Sequence, residues 1–374
     1  MRPDFLVIGA GISGLMSAIH LVESGARVAL VDSGENAGTW ANAGSLHVQM
    51  QSRFMRLYPD QVPQVEASLP LYAAAAEEWI ALDARHGSFE LVRKGGLMVA
   101  EGAAQLAFLE KKARREEELG LSVEILDRAQ LDQIAPFLGD QIVGAEICHN
   151  EGKLNPLIAN AKLRAYAASL GLTILTDRVL SLEDHGSHIC AIGAAGRYEA
   201  AEVIVAAAWG AGEVVAGLGV NIPSKPEPLH MNITEAAAPR IGHLIQHAER
   251  SITLKQLSQG QIVIGGGWAA EDRGRGMPPG VLAGSFLGNV GLAAQLVPSL
   301  GGLRVIRTWA GMNTTIDGAS VIGRLPRHPR IITALPGDAG YTLGPLVARM
   351  AVAIATGQTP PQDAAPYSPA RFAI

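Results

Sequence analysis

The chain has few cysteines, few aromatic residues and no basic excess. Its two cysteines, Cys148 and Cys190, stand in neither a CxxC nor a zinc-ligand spacing, so we expect no Cys-ligated cluster in this chain, and we assign no metal ligands. A formal net charge of −5 argues against general nucleic-acid binding. No apolar run approaches the ~18 residues of a membrane span, and we expect no signal peptide before the first strand.

Glycine and apolar residues are abundant instead. The 374 residues include 43 glycines and are 48% hydrophobic, while Trp, Tyr and Phe number only 5, 6 and 7. This length suggests two domains or one large domain, with ample core. Many glycines and few aromatics are typical of an α/β enzyme with tight turns around a cofactor.

The first thirty residues predict a parallel β-α-β unit. An apolar strand at Phe5–Ile8 is followed by helical periodicity at Ile12–Glu23 and a second strand at 27–31. Further helices are predicted at 71–85, 105–119, 156–170, 278–297 and 341–356, and strands at 172–175, 179–183, 203–207, 303–312, 320–322 and 331–334. The stretch 227–267 predicts an antiparallel sheet, and the charged stretch 110–118 a solvated helix face.

The turn after the first strand carries a dinucleotide-binding fingerprint. Gly9, Gly11 and Gly14 form G-x-G-x-x-G at the start of the helix, whose N-terminal N–H groups suit a pyrophosphate. Asp32 ends the second strand, where it accepts hydrogen bonds from a ribose diol. This acid disfavours a 2′-phosphate and so argues against NADP, which leaves FAD and NAD.

The second strand continues into small residues rather than a further β-α unit. That segment (32–45), with 336–345 near the C-terminus, resembles the D-amino-acid-oxidase-like flavoproteins, which include glycine oxidase, sarcosine oxidase and dimethylglycine dehydrogenase. Stretches 151–156, 203–209, 307–311 and 317–318 extend the resemblance over most of the chain, although Ala208 replaces a usual glycine. The resemblance implies an α/β fold: an FAD-binding Rossmann-like domain of the glutathione-reductase type (1–50, 145–225, 305–374) and an inserted α+β substrate domain with an antiparallel sheet (51–144, 226–304).

The family pattern also implies the cofactor contacts. Val179 lies where the family contacts adenine through backbone, and the helix start at Gly340 points to the flavin N1–C2=O edge. The complete implied FAD set is Gly9, Gly11, Ile12, Ser13, Gly14, Asp32, Ser33, Thr39, Asn42, Ala43, Gly44, Ser45, Val179, Ala207, Trp209, Gly311, Gly337, Gly340, Tyr341, Thr342 and Leu343.

Departures from the family pattern bear on chemistry. Ala41 replaces the histidine that attaches flavin covalently in some members, and no cysteine follows Cys190, so we expect non-covalent FAD. Asn313 stands where glycine-oxidase-like members carry an arginine that clamps the substrate carboxylate; an amide cannot form that bidentate pair.

Four residues are the substrate-site candidates: His47, His230, Asn313 and Arg53. Arg53, with Arg56, could replace the missing arginine, although arginines in such positions are more often on the surface or structural. His47 and His230 could contact flavin or tune the protonation of the amine, and the alternative for each is a packed, hydrogen-bonded histidine.

Segments 41–49 and 309–313 are similar to a narrower group: the flavin β subunits of D-hydroxyproline dehydrogenase, octopine and nopaline oxidase, and hydrogen cyanide synthase. This implies oxidation of the C–N bond of a secondary amino acid, such as D-hydroxyproline, an opine or proline, to an imine by hydride transfer to flavin N5. It also implies partner subunits, a second flavoprotein and a small iron–sulfur protein, which take the electrons.

Three alternatives stay open. A stand-alone glycine, sarcosine or D-amino-acid oxidase would produce hydrogen peroxide. A flavin-binding relay or structural subunit would have no substrate of its own, and an NAD-binding dehydrogenase would purify without yellow colour. We expect a cytoplasmic protein, with peripheral association at the inner membrane face left open.

Overall fold

The computed structural model describes residues 2–35, 38–238 and 240–374, except for the side chain of Arg53. The strands in this part of the chain are β1 (Phe5–Ile8), β2 (Val28–Asp32), β3 (Ser45–Leu46), β4 (Gly96–Ala100), β5 (Val123–Asp127), β6 (Gly144–Cys148), β7 (Gly152–Lys153), β8 (Ile174–Thr176), β9 (Val179–Asp184), β10 (Ile189–Gly193), β11 (Arg197–Ala200), β12 (Glu202–Val205), β13 (Lys225–Ala236), β14 (Leu244–His247), β15 (Thr253–Gln256), β16 (Gln261–Gly265), β17 (Val305–Thr315), β18 (Val321–Leu325) and β19 (His328–Leu335). The helices are α1 (Ile12–Glu23), α2 (Gly38–Ala41), α3 (Ser52–Leu57), α4 (Val62–His86), α5 (Ala103–Glu118), α6 (Arg128–Ile134), α7 (Pro156–Ser169), α8 (Ala211–Val215), α9 (Ala283–Leu296) and α10 (Gly340–Ala355).

The chain divides into two compact units. Unit 1 comprises residues 1–40, 159–227 and 313–374, and unit 2 comprises 41–158 and 228–312. Residues 41–50 and 145–158, which the sequence analysis assigned to the FAD-binding domain, belong to unit 2. The roles of the two domains stay a prediction.

Unit 1 is built on a mixed six-stranded sheet, as the expected α/β fold requires. The strand order is β18-β19-β12-β1-β2-β8, and all neighbours are parallel except β18 with β19. Helices α1 and α10 pack against each other and are apolar on nearly every face. Their close approach depends on Gly344, because a Cβ there would lie 2.5 Å from Ile12 Cγ2. A three-stranded sheet of β9, β10 and β11 completes the unit.

Unit 2 is built on an eight-stranded sheet with two chemically different faces. Its order is β17-β13-β16-β15-β14-β4-β6-β5, and the described pairs are antiparallel except β14 with β4. Because side chains alternate along a strand, Leu254 and Ile264 pack on one face with Leu292 of α9. The opposite face carries Gln246 and Lys255, whose partners lie in other segments of unit 2.

Several predicted elements differ at their ends. The helix expected at 278–297 begins only at Ala283, after the prolines at 278 and 279. The helix expected at 71–85 runs from Val62 to His86, with a proline in its first turn. The strand expected at 203–207 ends at Val205.

No helix among the described residues has both the length and the apolar character to cross a bilayer.

Candidate functional site

The turn between β1 and α1 fits a dinucleotide. Gly9 has φ +99°, and a Cβ on it would lie 2.4 Å from Ala206 O at the end of β12. A Cβ on Gly14 would lie 1.8 Å from Gly9 O. Both positions therefore require glycine, and the backbone is left bare where a pyrophosphate approaches.

The start of α1 offers backbone donors. The first-turn N–H groups of a helix have no partner within the helix. The backbone N–H of Ile12 donates to Thr39 Oγ1 (N–O 2.9 Å). This hydrogen bond holds Thr39, another predicted FAD residue, at the glycine turn. Ser13 Oγ donates to Ala334 O of β19 (2.9 Å), so the proton of this hydroxyl is already used and a donor from Ser13 to a phosphate would be its backbone N–H.

Asp32 is held in place at the end of β2. Its Oδ2 accepts from Ala10 N (2.6 Å) and its Oδ1 from Gly34 N (2.8 Å). Each carboxylate oxygen keeps lone-pair capacity for a ribose hydroxyl.

The sequence analysis missed Arg164 of α7, whose guanidinium carbon lies 4.2 Å from the centre of the Trp40 ring. Burial lowers the pKa of Arg164, and the charge of Asp32 opposes that shift.

Three further predicted FAD residues, Val179, Ala207 and Trp209, lie at two strand ends of unit 1. Val179 is buried at the start of β9, and Ala207 and Trp209 follow β12. Between them Ala208 has φ +49°, the left-handed region that favours glycine. This conformation suits the glycine that the resemblance implies at this position. Ser33 Oγ accepts from Glu35 N at 3.2 Å, just beyond β2.

The start of α10 is tied to Thr39 by a residue that the sequence analysis did not single out. Tyr341 OH donates to Asn160 Oδ1 (3.0 Å), and Asn160 Nδ2 donates to Thr39 O (3.1 Å). Burial raises the pKa of Tyr341, so its hydroxyl stays protonated. Thr342 and Leu343 are also buried, while Gly337 and Gly340 form the turn and the first residue of the helix.

Asn313 lies between two carboxylates of unit 1. Its Nδ2 donates to Glu227 Oε2 (3.0 Å) and to Asp338 Oδ1 (2.6 Å). An amide nitrogen has two protons, so both are used. Asn313, which the resemblance matches to an arginine of glycine-oxidase-like members, is therefore held between two carboxylates in this chain.

In unit 2, the predicted flavin segment 42–45 follows a close backbone crossing. Trp309 Nε1 donates to Ala41 O (2.9 Å), and a Cβ on Gly311 would lie 2.2 Å from Ala41 Cβ. Asn42 Oδ1 accepts from Gly44 N (2.7 Å). Gly44 has φ +78°, and its Cβ would lie 2.2 Å from Leu154 O. Ala43 is half-buried within this turn.

Ser45, which follows this turn, meets a lysine that the sequence analysis did not select. Lys255 is fully buried on β15, and its Nζ lies 2.6 Å from Ser45 Oγ. Burial, with the nearby charge of Lys153, lowers the pKa of Lys255 to about 7.

The backbone after Ser45 is held by a buried carboxylate. Glu151 Oε1 accepts from Val48 N (2.8 Å) and Gln49 N (3.2 Å), while its Oε2 accepts from Gln49 Nε2 (2.8 Å) and Gln246 Nε2 (2.6 Å). A Cβ on Gly96 would lie 1.8 Å from Glu151 Oε2, so that glycine leaves room for the carboxylate. His47 Nδ1 lies 3.8 Å from Glu151 Oε1.

The prediction of a solvated face for the charged helix is wrong at two residues. Lys112 and Glu116 of α5 are buried, and Lys112 Nζ lies 3.0 Å from Glu116 Oε2 and 2.9 Å from Glu146 Oε2. Lys112 Nζ also donates to Gln49 Oε1 (3.0 Å), and Glu116 accepts from Met50 N (2.5 Å). Burial raises the pKa of Glu116. These charges anchor segment 48–50.

The structure places His230 away from segment 41–45. Its Nε2 lies 3.0 Å from Asn232 Oδ1, and Asn232 Nδ2 donates to Asn289 of α9 (3.0 Å). His230 therefore lies on the sheet face that α9 covers, whereas Met231 points to the face with Gly311 and Ala41. Burial lowers the pKa of His230, which fits the packed-histidine alternative.

Of the two arginine candidates, only Arg56 has a described side chain. The side chain of Arg53 lies outside the described part of the structure; its backbone belongs to α3. Arg56 donates to Ala248 O and lies 3.4 Å from Glu249 Oε1, so it serves as a surface contact.

Comparison with known proteins fits these features. The family model described as FAD dependent oxidoreductase (DAO) matches residues 4–354. The chain is 24% identical over 347 residues to glycine oxidase from Bacillus licheniformis, covering 89% of this chain and 87% of that protein. It is 24% identical over 347 residues to one of the subunits of opine oxidase from Agrobacterium tumefaciens, covering 87% of this chain and 86% of that protein.

Among solved structures, glycine oxidase from Geobacillus kaustophilus superposes with a TM-score of 0.81 at 23% identity, covering 98% of each chain. That likeness confirms the predicted α/β fold. The glycine turn, Asp32 and the family match together show that this chain belongs to the DAO family of FAD-dependent oxidoreductases.

Proposed function

We propose that the protein is an FAD-dependent dehydrogenase that oxidises the C–N bond of a secondary amino acid and passes the electrons to partner subunits. Among D-hydroxyproline, proline and the opines, we favour an opine made from a basic amino acid. The opine oxidase relative, itself named as a subunit, supports both the substrate class and a multisubunit assembly. The resemblance to the flavin β subunits implies that the partners are a second flavoprotein and an iron–sulfur protein. We place this assembly in the cytoplasm, which suits the two buried free thiols.

The observation that carries the choice of substrate is the acidic surrounding of Asn313. Both amide protons face carboxylates, Glu227 Oε2 at 3.0 Å and Asp338 Oδ1 at 2.6 Å. A substrate carboxylate at this position would meet two like charges, which favours neither glycine nor sarcosine. A guanidinium or ammonium group would meet two acceptors and gain charge-assisted hydrogen bonds.

Different residues of this chain would then have different roles in binding the cofactor. Gly9, Gly14 and the start of α1 would hold the pyrophosphate, and Asp32 would hold the adenosine ribose. The N–H groups at Gly340 and Tyr341, at the N-terminus of α10, would stabilise negative charge on the reduced flavin. When bound, FAD supplies the acceptor for the electron pair that leaves the substrate carbon.

We further propose that FAD is held without a covalent bond. Ala41 offers no attachment atom, and both cysteines are buried. Burial raises the pKa of Cys148, which keeps that thiol protonated and unreactive. Acid precipitation followed by absorbance of the supernatant tests this: free FAD is expected, and yellow colour in the pellet would contradict it.

Two matched opines test the proposed substrate. One carries a guanidinium side chain, and the other an alkyl chain of the same length. We expect anaerobic bleaching of the flavin by both, with at least tenfold lower half-saturation for the cationic opine, a difference of about 1.4 kcal/mol. The pair E227Q/D338N should erase that preference, while N313Q should retain most of it. Equal half-saturation for both opines in the unsubstituted protein would contradict the assignment.

A second candidate is a stand-alone oxidase of glycine or sarcosine, favoured by the glycine oxidase relative. Restoring the cation with N313R discriminates the two. If the chain is an oxidase with its carboxylate clamp elsewhere, N313R leaves bleaching by glycine unchanged. If Asn313 marks an altered specificity, N313R weakens bleaching by the cationic opine, because its guanidinium occupies Glu227 and Asp338.

A further inference from the structure

Unit 2 buries three lysines, and their partners differ in chemistry. Lys112 Nζ lies against two carboxylates, Glu116 and Glu146. Lys153 Nζ donates to two backbone carbonyls, Ile241 O (2.8 Å) and Gln256 O (2.9 Å). Lys255 Nζ lies 2.6 Å from the hydroxyl of Ser45.

These partners decide what each lysine can do. Carboxylates keep Lys112 protonated, and their two charges raise its pKa against the opposing effect of burial. Carbonyl oxygens accept hydrogen bonds but carry no proton, so the two partners of Lys153 cannot pass a proton to it. A hydroxyl both accepts and donates, so a neutral Lys255 can take the proton of Ser45 while Ser45 takes one from another group.

We propose that Ser45 and Lys255 form a proton relay that deprotonates the ammonium nitrogen of the substrate before its C–N bond is oxidised. The proposal rests on the secondary-amine function argued above. Lys255 itself is fully buried, whereas Ser45 retains 7% exposure in the segment predicted to contact flavin, so the substrate would reach the relay at Ser45. Lys255 therefore acts through Ser45, as a positioning and proton-holding residue.

The step balances in atoms and charge. The substrate N–H bond breaks and its proton joins Ser45 Oγ, while the Ser45 O–H proton joins the neutral amine of Lys255. The products are a neutral secondary amine and a lysine ammonium, with one positive charge before and after. A neutral amine has the free lone pair that must assist loss of electrons from the adjacent carbon.

The surroundings of Lys255 suit a base that works near neutral pH. Burial and the like charge of Lys153 on β7 lower its pKa to about 7. The other titratable groups on the elements packed nearby are Glu151 and His47, with His243 and Lys94 around Lys153. In a fully charged state Lys255 would have no carboxylate partner among the contacts described, unlike Lys112.

The first test is the pH profile of anaerobic flavin reduction at saturating substrate. The rate constant of the unsubstituted protein should rise through about pH 7. S45A and K255M should lose that inflection and fall at least 100-fold at pH 7. S45T keeps the hydroxyl and should keep the inflection. K255R keeps the charge but cannot release its proton, so it should behave like K255M.

The variant K153M serves as a control, because a purely structural role for Lys255 predicts no shift of the inflection in the pH profile. K153M removes the like charge and should move the inflection to higher pH. An unchanged inflection in K153M, or profiles of S45A and K255M that match the unsubstituted protein, would overturn the relay.

The second test needs no turnover. The protein is labelled with [13Cε]lysine, and the Lys255 signal is identified by its absence in K255R. The signal is followed from pH 5 to 9 in the holoenzyme, where it should move from the protonated to the neutral position near pH 7. A signal that stays protonated up to pH 9 would leave Lys255 unable to take a proton and overturns the relay.

The outcomes separate the relay from the proposed function. If no secondary amine bleaches the flavin, the proposed function fails. If an amine bleaches it but S45A and K255M keep the original profile, the relay alone fails.

Discussion

Replacing Glu151 by glutamine tests whether one buried carboxylate holds the backbone beside the flavin segment. In E151Q the retained oxygen can still accept from Val48 N and Gln49 N. The new amide nitrogen replaces Oε2, which accepts from Gln49 Nε2 and Gln246 Nε2 at 2.8 and 2.6 Å. The side-chain N–H groups of Gln49 and Gln246 would then both point at the N–H group of the introduced amide.

The two glutamines differ in how they can respond. Gln246 can rotate its amide, because its Oε1 is buried without a partner in the described part of the chain. Gln49 cannot rotate without loss, because its Oε1 accepts from Lys112 Nζ. One buried donor–donor contact remains, at about 1–3 kcal/mol, and three charge-assisted bonds weaken. We expect E151Q to destabilise the protein by about 2–4 kcal/mol.

The assay is thermal unfolding with FAD content measured on the same sample. At about 2–4 °C per kcal/mol for a unit of this size, the melting temperature should fall by roughly 5–15 °C. FAD content should fall as well, because segment 45–50 loses its anchor. The control is E199Q, an exposed carboxylate paired with Arg2, which should change stability by less than about 0.5 kcal/mol. A melting temperature for E151Q within about 1 °C of the unsubstituted protein would refute the reasoning.

Three further predictions concern stability. A208G should stabilise the protein by up to about 1 kcal/mol, because the strain energy of alanine at φ +49° exceeds the free-energy cost of the backbone entropy that glycine loses on folding. Chemical denaturation measures this difference, and a loss of stability would contradict the prediction. K112M should cost about 3–5 kcal/mol, because it leaves Glu116 and Glu146 buried without a cation; exposed K111M is the control. Lys255 has a folded-state pKa of about 7, below its unfolded value. The unfolded chain therefore binds more protons between pH 7 and about 10, so stability should rise with pH across that window, and K255M should flatten the rise in denaturation midpoints.

The dinucleotide-binding half could be predicted because its signals are local. Periodicity gives α1 its observed bounds, Ile12–Glu23, and the glycine spacing marks the turn that the structure shows. Asp32 follows from its place at the strand end. Arg164 and Asn160 were missed because both lie on α7, far from the fingerprint in sequence, and no local pattern joins them to Asp32 or Tyr341.

The other site residues that the sequence did not reveal depend on contacts between segments that are far apart in the chain. The charged stretch of α5 gives no local sign that Lys112 meets Glu146, 34 residues away, or that Glu116 meets Met50, 66 residues away. Lys255 and Ser45 are separated by 210 residues. The outcome for His230 depends on which face of β13 meets α9, and strand alternation alone leaves that choice open.

Anaerobic flavin absorbance, followed by readmission of air, tests the central claim most directly. The panel is octopine, nopaline, D-hydroxyproline, proline, sarcosine, glycine and D-alanine. We predict bleaching by a secondary amine, octopine first, with slow return of the oxidised spectrum in air and little hydrogen peroxide. Bleaching by glycine with rapid recovery and stoichiometric peroxide would make the protein an oxidase, and a spectrum that no amine bleaches would contradict the account altogether.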